Sequence, residues 1–281
     1  MSRSYSSSYP SRSMLTMFSY FSWAILGVLY FLFFSAKIPD LGQGGIEIRA
    51  GWYVIGTNIF EAVAYLVASL LCWRNWQSTQ MVSSRKVWLS IGLGMFAYFI
   101  GRLVFAYIEI GLKQQPDVSI ANVFFIMAFL CLTTGMALGL LSHRIHLKPW
   151  QWLIVAAVGG LGSFPTWLMS QKQASTEQVA FFLNLFYMVS DVLPLIIAIM
   201  MLLAFWGGKV SLSWRIIAAA AFSLYIAYMW FKFAQQSPNY QSGDILEVFW
   251  VFSGVLFGLG TVLEYDASLS LKGRDRGRKG T

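Results

Sequence analysis

The constraint that governs this chain is a series of apolar blocks, each about as long as a bilayer is thick. A helix needs ~20 apolar residues to cross the hydrocarbon core. Eight blocks of that kind stand at residues 16–36, 52–73, 88–110, 120–141, 150–169, 181–205, 214–234 and 245–263. Hydrophobic residues make up 57% of the 281 and charged residues 11%, against ~25% charged in ordinary soluble domains. The expected fold class is all-α integral membrane, with eight transmembrane helices and no separate soluble domain.

Lysine and arginine divide unequally between the two sides that eight spans define. Fourteen fall on the side of the termini, five of them in the tail from Lys272 to Lys279. Five fall on the other side (Lys37, Arg49, Lys113, Lys172 and Lys232), and Arg102 is left inside a span. The positive-inside rule then makes both termini cytoplasmic, in a cell inner membrane or, for a photosynthetic source, in a thylakoid. The same distribution turns the net charge of +8 away from nucleic acid and toward a lipid bilayer with anionic headgroups.

The chain also repeats itself. Ile120-Ala121-Asn122-Val123-Phe124-Phe125 returns 125 residues later as Ile245-Leu246-Glu247-Val248-Phe249-Trp250, and Gly135 falls on Gly260 at the same offset. Glu61 and Trp76 keep the spacing of Asp191 and Trp206, and Trp88 aligns with Trp214. Four spans per copy is an even number, so the two copies share one orientation, as two parallel four-helix repeats about an axis along the membrane normal. The expected divisions are a disordered cytoplasmic tail at 1–15, a first four-span repeat at 16–142, a second at 143–265 and a basic cytoplasmic tail at 266–281.

Ionised side chains inside spans carry the sharpest functional signal, because each costs about 2.5–3.5 kcal/mol at a helix centre. Glu61 in the second span and Asp191 in the sixth stand near the midplane at equivalent positions of the repeats. Arg102 reaches a comparable depth in the third span, where no cation of the second repeat aligns with it. Pairing with a carboxylate removes most of the penalty. Arg102 is therefore expected to meet Glu61, Asp191 or both in a central polar site. Such a site reads either as an ion network that sets helix register or as a ligand, proton or sensing site.

Nearer the outer face, Glu109, Asn122, Lys232, Asp244 and Glu247 suggest a polar vestibule leading down to Arg102, with Lys232 and Glu247 meeting across the seventh loop. The alternative is ordinary interfacial polarity with a snorkelling lysine. Asp117, Ser119 or Asp244 is expected to cap the helix that follows it. Pro194, three residues after Asp191, removes a backbone hydrogen bond and predicts a kink.

Gly135-x-x-x-Gly139 and Gly254-x-x-x-Gly258 allow close helix approach, either within the chain or in a homodimer. Cys72 and Cys131 lie in apolar spans without CxxC spacing and read as small buried hydrophobes. His143 and His146 sit among cations in a basic loop and belong to the headgroup flank rather than to a metal. No catalytic set, metal site or cofactor motif stands out, and the expected role is non-enzymatic.

Gly101-Arg102-Leu103-Val104-Phe105-Ala106-Tyr107-Ile108-Glu109, then Pro116, then Ser119-Ile120-Ala121-Asn122-Val123-Phe124-Phe125 resembles the recurrent text of a multi-span sensor module. In bacterial and archaeal signalling proteins that module precedes a histidine kinase or diguanylate cyclase domain. The resemblance covers most of residues 55–265. Arg102 and Asn122 stand where the pattern has aspartates. It implies a sensory or regulatory role. Because the chain ends at Thr281 after a basic tail, that role is expected to be exerted through a membrane or cytoplasmic protein partner. A small-solute or ion-coupled transporter, or a structural subunit of a larger membrane complex, would use the same spans.

Overall fold

The computed structural model describes residues 12–40, 46–112, 119–142, 147–172, 178–205, 211–237 and 240–279. Among these, the chain forms eight α-helices: α1 (Arg12–Phe34), α2 (Gly51–Gln77), α3 (Arg85–Ala106), α4 (Ile120–Leu141), α5 (Pro149–Lys172), α6 (Gln178–Ala204), α7 (Ser211–Ala234) and α8 (Val248–Lys279). A π-helical turn, Tyr107–Gly111, extends α3, and a short 3₁₀ turn, Ile245–Glu247, leads into α8.

Six helices are long and apolar enough to cross a membrane: α1, α2, α3 with its π turn, α4, α7 and α8. They mark the chain as an integral membrane protein. Large apolar side chains stay exposed on their outer faces, including Phe18, Phe21, Leu32 and Phe33 on α1 and Val123, Leu130 and Leu141 on α4, as lipid contact requires. Among the described residues, α6 contains the shorter apolar stretch Val189–Ala204.

Three local expectations shift. The first outer connection, read as a loop, contains an antiparallel hairpin of β1 (Lys37–Asp40) and β2 (Ile46–Arg49), with Ile38 opposite Ile48. The alternation Ile46-Glu47-Ile48-Arg49 is the period-two pattern of a strand. Helix α1 begins at Arg12, inside the segment read as a tail, while residues 1–11 lie outside the described ones. Helix α8 runs without a break to Lys279, so the basic tail continues a membrane helix.

Helices α2, α3 and α4 pack in sequence, as do α6, α7 and α8. The two groups join where α8 lies on α2 and α4 meets α6, with α1 against α8 and α5 against α6. At their centre Trp88 and Trp214 are fully buried with ring centroids 5.9 Å apart. At the other end of α3 and α7, Phe105 and Phe231 meet edge to face at 6.5 Å.

All four paired-motif glycines are used inside the chain. A Cβ at Gly135 would lie 2.6 Å from Ile91 Cγ1 on α3, and one at Gly260 would lie 2.6 Å from Ile217 Cγ1 on α7. Gly139 abuts the Trp214 ring, Gly254 lies against the backbone of Ala64 and Tyr65, and Gly258 against Tyr20. Gly254→Val, pressed against backbone at about 3 Å, is therefore expected to cost about 1–3 kcal/mol in thermal unfolding in detergent. Gly160, with nothing within 4 Å of an added Cβ, should accept alanine with a change of at most about 1 kcal/mol, in the stabilising direction.

Candidate functional site

The three predicted central residues, with Lys232 of the predicted outer group, form two separate acid–cation pairs. In the first, Glu61 on α2 is fully buried and Arg102 on α3 is nearly so. Arg102 Nε stands 2.7 Å from Glu61 Oε2. Its N–H does not point along a hydrogen-bond line to the carboxylate, so the attraction is Coulombic. The guanidinium finds its hydrogen bond at Asn58, donating from Nη2 to Oδ1 over 3.0 Å. Asn58 and Glu61 are three residues apart and share the face of α2 that looks at α3. Gly101, the neighbour of Arg102 in the chain, makes room for α4, since a Cβ there would meet the Phe125 ring at 2.7 Å.

Of the acids expected for Arg102 it takes Glu61, while Lys232, expected to meet Glu247 across the seventh loop, reaches inward to Asp191. Asp191 on α6 is neutralised by Lys232 on α7, whose Nζ contacts Oδ2, and not by Arg102. Lys232 lies one helical turn beyond Tyr228, the residue that aligns with Arg102, and so projects from the same face of its helix. Helical side chains lean toward the helix N-terminus. For α7 that direction is inward from the outer surface, which carries the lysine head down to Asp191. Each buried acid thus meets a cation on the next helix in the chain, Arg102 on α3 and Lys232 on α7.

The two pairs approach one another through tyrosines. The hydroxyls of Tyr98 on α3 and Tyr228 on α7 are in contact. Tyr98 stacks on Tyr65 at 5.0 Å, and Tyr228 meets Trp250 edge-on at 4.4 Å. Phe125 and Trp250, matched by the repeat, both flank Tyr98.

The outer residues are drawn into distinct contacts rather than lining a common funnel. Glu247 accepts from the Tyr240 hydroxyl at 2.5 Å and from the Gly243 amide at 2.7 Å. Gly243 has φ of +93°, a left-handed conformation that favours glycine. Burial and the adjacent Glu247 push the Tyr240 hydroxyl above its ordinary range, so it remains a donor. Asp244 pairs with Arg49 at 3.4 Å. Glu109 sits in the π turn and, with Glu247, lies within electrostatic reach of Arg102. Asn122 accepts from the Ser119 hydroxyl at 3.2 Å. Ser119 and Asp244 precede their helical turns without a side-chain capping bond, and Asp117 lies outside the described residues, as do His143 and His146.

Two functional residues escaped the sequence reading. Arg49 clasps the outer loop: its amide donates to Gln241 Oε1 at 2.6 Å, and its guanidinium reaches the Gln241 and Ser242 carbonyls and Asp244. Its signal was being the one arginine among the five outer cations. Glu264, fully buried midway along α8, accepts from Ser213 at 2.6 Å and from Ser83. It follows the predicted eighth span by one residue, where an acid reads as ordinary interfacial polarity. Pro194 lies within the continuous helix α6, one turn from Asp191. Among the described residues no cluster of three or more His, Cys, Asp or Glu side chains is placed to hold a metal. Cys72 is buried, contacting the Thr261 hydroxyl at 3.3 Å, and Cys131 is half-buried; neither is in a disulfide.

Removing one member of a buried pair strands the other charge, at a cost of about 3–5 kcal/mol. Arg102→Leu is expected to lose about that much stability. The double change Glu61→Leu with Arg102→Leu should recover most of it, as read in a double-mutant cycle of thermal unfolding. A double-variant loss equal to the sum of the two single losses would mean that the two residues act independently.

Comparison with known protein families, curated proteins and solved structures found no match.

Proposed function

We propose that this chain is a sensory or regulatory membrane module acting through a partner protein. It is built of two parallel four-helix units whose eight helices all cross the bilayer, with both termini cytoplasmic. The two-unit reading draws on matched contacts. Residues equivalent under a twofold axis touch each other only near that axis. Trp88 meets Trp214 and Phe105 meets Phe231, each pair separated by 126 residues, which traces an axis along α3 and α7. Gly135 on Ile91 and Gly260 on Ile217 repeat one helix crossing in both units. Crossing by α5 and α6 returns the chain to the side it left, in keeping with the distribution of Lys and Arg.

The observation that carries the regulatory reading is the charge pair within each unit, Glu61–Arg102 and Asp191–Lys232, with the units meeting between them at Tyr98 and Tyr228. A buried ion pair has discrete made and broken states, and a two-state element of this kind is what a switch requires. Beside Asp191 and the Tyr98–Tyr228 contact lies a cavity of about 20 Å³, room for about one water rather than a solute. The 3₁₀ turn that leads into α8 carries Glu247, and Glu264 lies midway along α8, which continues as helix to Lys279. Movement at the outer site would pass along it to a basic cytoplasmic end (Lys272, Arg274, Arg276, Arg278 and Lys279), suited to an acidic partner or anionic lipid. The resemblance to signalling sensor modules agrees with this. Ion-coupled transport is the second reading, favoured by Pro194 lining the cavity beside Asp191.

Two experiments bear on these readings. Crosslinking in native membranes should join the chain to a second polypeptide, and proteoliposomes of the purified chain should show no flux across a panel of ions and small solutes. A lone monomer with flux abolished by Asp191→Asn would replace the regulatory reading with transport. For topology, Ser175→Cys in a chain lacking Cys72 and Cys131 should react with a membrane-impermeant maleimide from the outer side. Reaction from the cytoplasmic side alone would mean that α5 and α6 do not cross.

A further inference from the structure

At the outer end of α2, Gly51 and Trp52 are exposed, yet Tyr53 and Thr57 just inside them are fully buried. Tyr53, Thr57 and Glu61 recur every four residues and share a face. That face runs from the outer surface down to the Glu61–Arg102 pair. Helix α1 covers one flank of its head, where Tyr30 stacks on Tyr53 at 5.4 Å. The loop after α7 covers another: the Tyr53 hydroxyl donates to the Gly243 carbonyl at 2.7 Å, and a Cβ at Gly243 would stand 2.7 Å from the Tyr53 ring. The Tyr53–Gly243 and Ala64–Gly254 contacts share an offset of 190 residues. The same offset sets Thr57 at the level of Glu247, where the loop turns into α8.

The cover is held by polar contacts. From the hairpin, the Arg49 amide donates to Gln241 Oε1 at 2.6 Å, and its guanidinium donates to the Gln241 and Ser242 carbonyls and to Asp244. Arg49 Nε donates to the Ser35 carbonyl at 3.4 Å, so one side chain ties the loop to the end of α1 as well. On the inner side the Gly243 amide is bonded to Glu247. Tyr240, edge-on to Phe231 at 5.8 Å, anchors one end of the loop. Between these anchors Gln241-Ser242-Gly243-Asp244 has no apolar side chain. Segments held in this way belong to the part of a structure that opens locally at low cost. Gly243, at φ +93°, supplies the backbone freedom of a hinge.

We propose that residues 241–244 form a lid over the outer approach to the Glu61–Arg102 pair, latched shut by Arg49, and that this lid is the outer input of the module. With the latch made, Tyr53 and Thr57 are sealed from water. With it released, the loop swings about Gly243 and outer water and solutes reach the face of α2. Glu247 then loses the Gly243 amide that orients it, within electrostatic reach of Arg102. The role of the lid as an input rests on the regulatory reading; its opening does not.

Cysteine accessibility in lipid nanodiscs tests the lid, because nanodiscs present both faces and membrane topology does not enter. Thr57→Cys, in a chain lacking Cys72 and Cys131, is expected to react slowly with a membrane-impermeant methanethiosulfonate. Adding Arg49→Gln removes charge-assisted hydrogen bonds and should accelerate that reaction about tenfold or more. Ser69→Cys, buried on the same helix about three turns further in, should keep its rate. An unchanged rate at position 57 would overturn the lid. Equal acceleration at both positions would overturn it too, since that reports general loosening. If Arg49→Gln does not fold, Asp244→Asn, which removes the charge facing Arg49, should accelerate the reaction at position 57 by a smaller factor, and no change would overturn the lid. A lid that opens as expected in a chain that crosslinks to no partner would support the lid and remove its regulatory role.

Discussion

An ionised side chain in hydrocarbon must find its counter-charge on a neighbouring helix, and the arrangement of this bundle follows from that requirement. Glu61 and Arg102 tie α2 to α3, and Asp191 and Lys232 tie α6 to α7. Each contact sets the rotation of two helices about their axes. A turn of either helix by one residue would swing a charge through about 100° into lipid or an apolar neighbour. Apolar packing supplies most of the contact area, yet side chains of similar size tolerate small slips. Buried charges tolerate them poorly, and their best-attested structural use is to specify register.

The same requirement explains why the outer end and the middle of α8 are built differently. At the outer end Glu247 is held by a phenol and a left-handed glycine's amide, with Arg49 closing over the loop from the hairpin. Midway along the helix Glu264 is held by two serine hydroxyls, one before α3 and one in the first turn of α7. At the sequence offset of 125 residues Asn122 stands against Glu247 and Gly139 against Glu264, so neither polar attachment of α8 is matched there.

Much of this was legible in the residues alone. Depth and alignment identified Glu61, Asp191 and Arg102 as central, and the glycine pairs as close-packing positions. The partner of Asp191 was not legible from alignment, because matching residue for residue set Tyr228 against Arg102 and hid a lysine one helical turn away. Helices repeat their faces every three or four residues, so a displaced twin satisfies the same charge. The hairpin escaped because its alternation is only four residues long. Arg49 and Glu264 escaped because their importance lies in contacts across 192 and 181 residues of chain, which no local pattern records. Eight apolar blocks were readable, and among the described residues six of the corresponding helices have the length and hydropathy to cross a membrane.

The pairing scheme is open to direct measurement by rotational-echo double-resonance NMR on the protein in lipid, with arginine labelled by ¹⁵N and glutamate by ¹³C at the side-chain carboxyl. An arginine Nε signal should be dephased by a carboxyl carbon at short range, and that dephasing should vanish in Glu61→Gln. Dephasing that survives unchanged in the variant would assign the guanidinium to another carboxylate, and absence of any close arginine–glutamate contact would contradict the charge-pair account of the bundle.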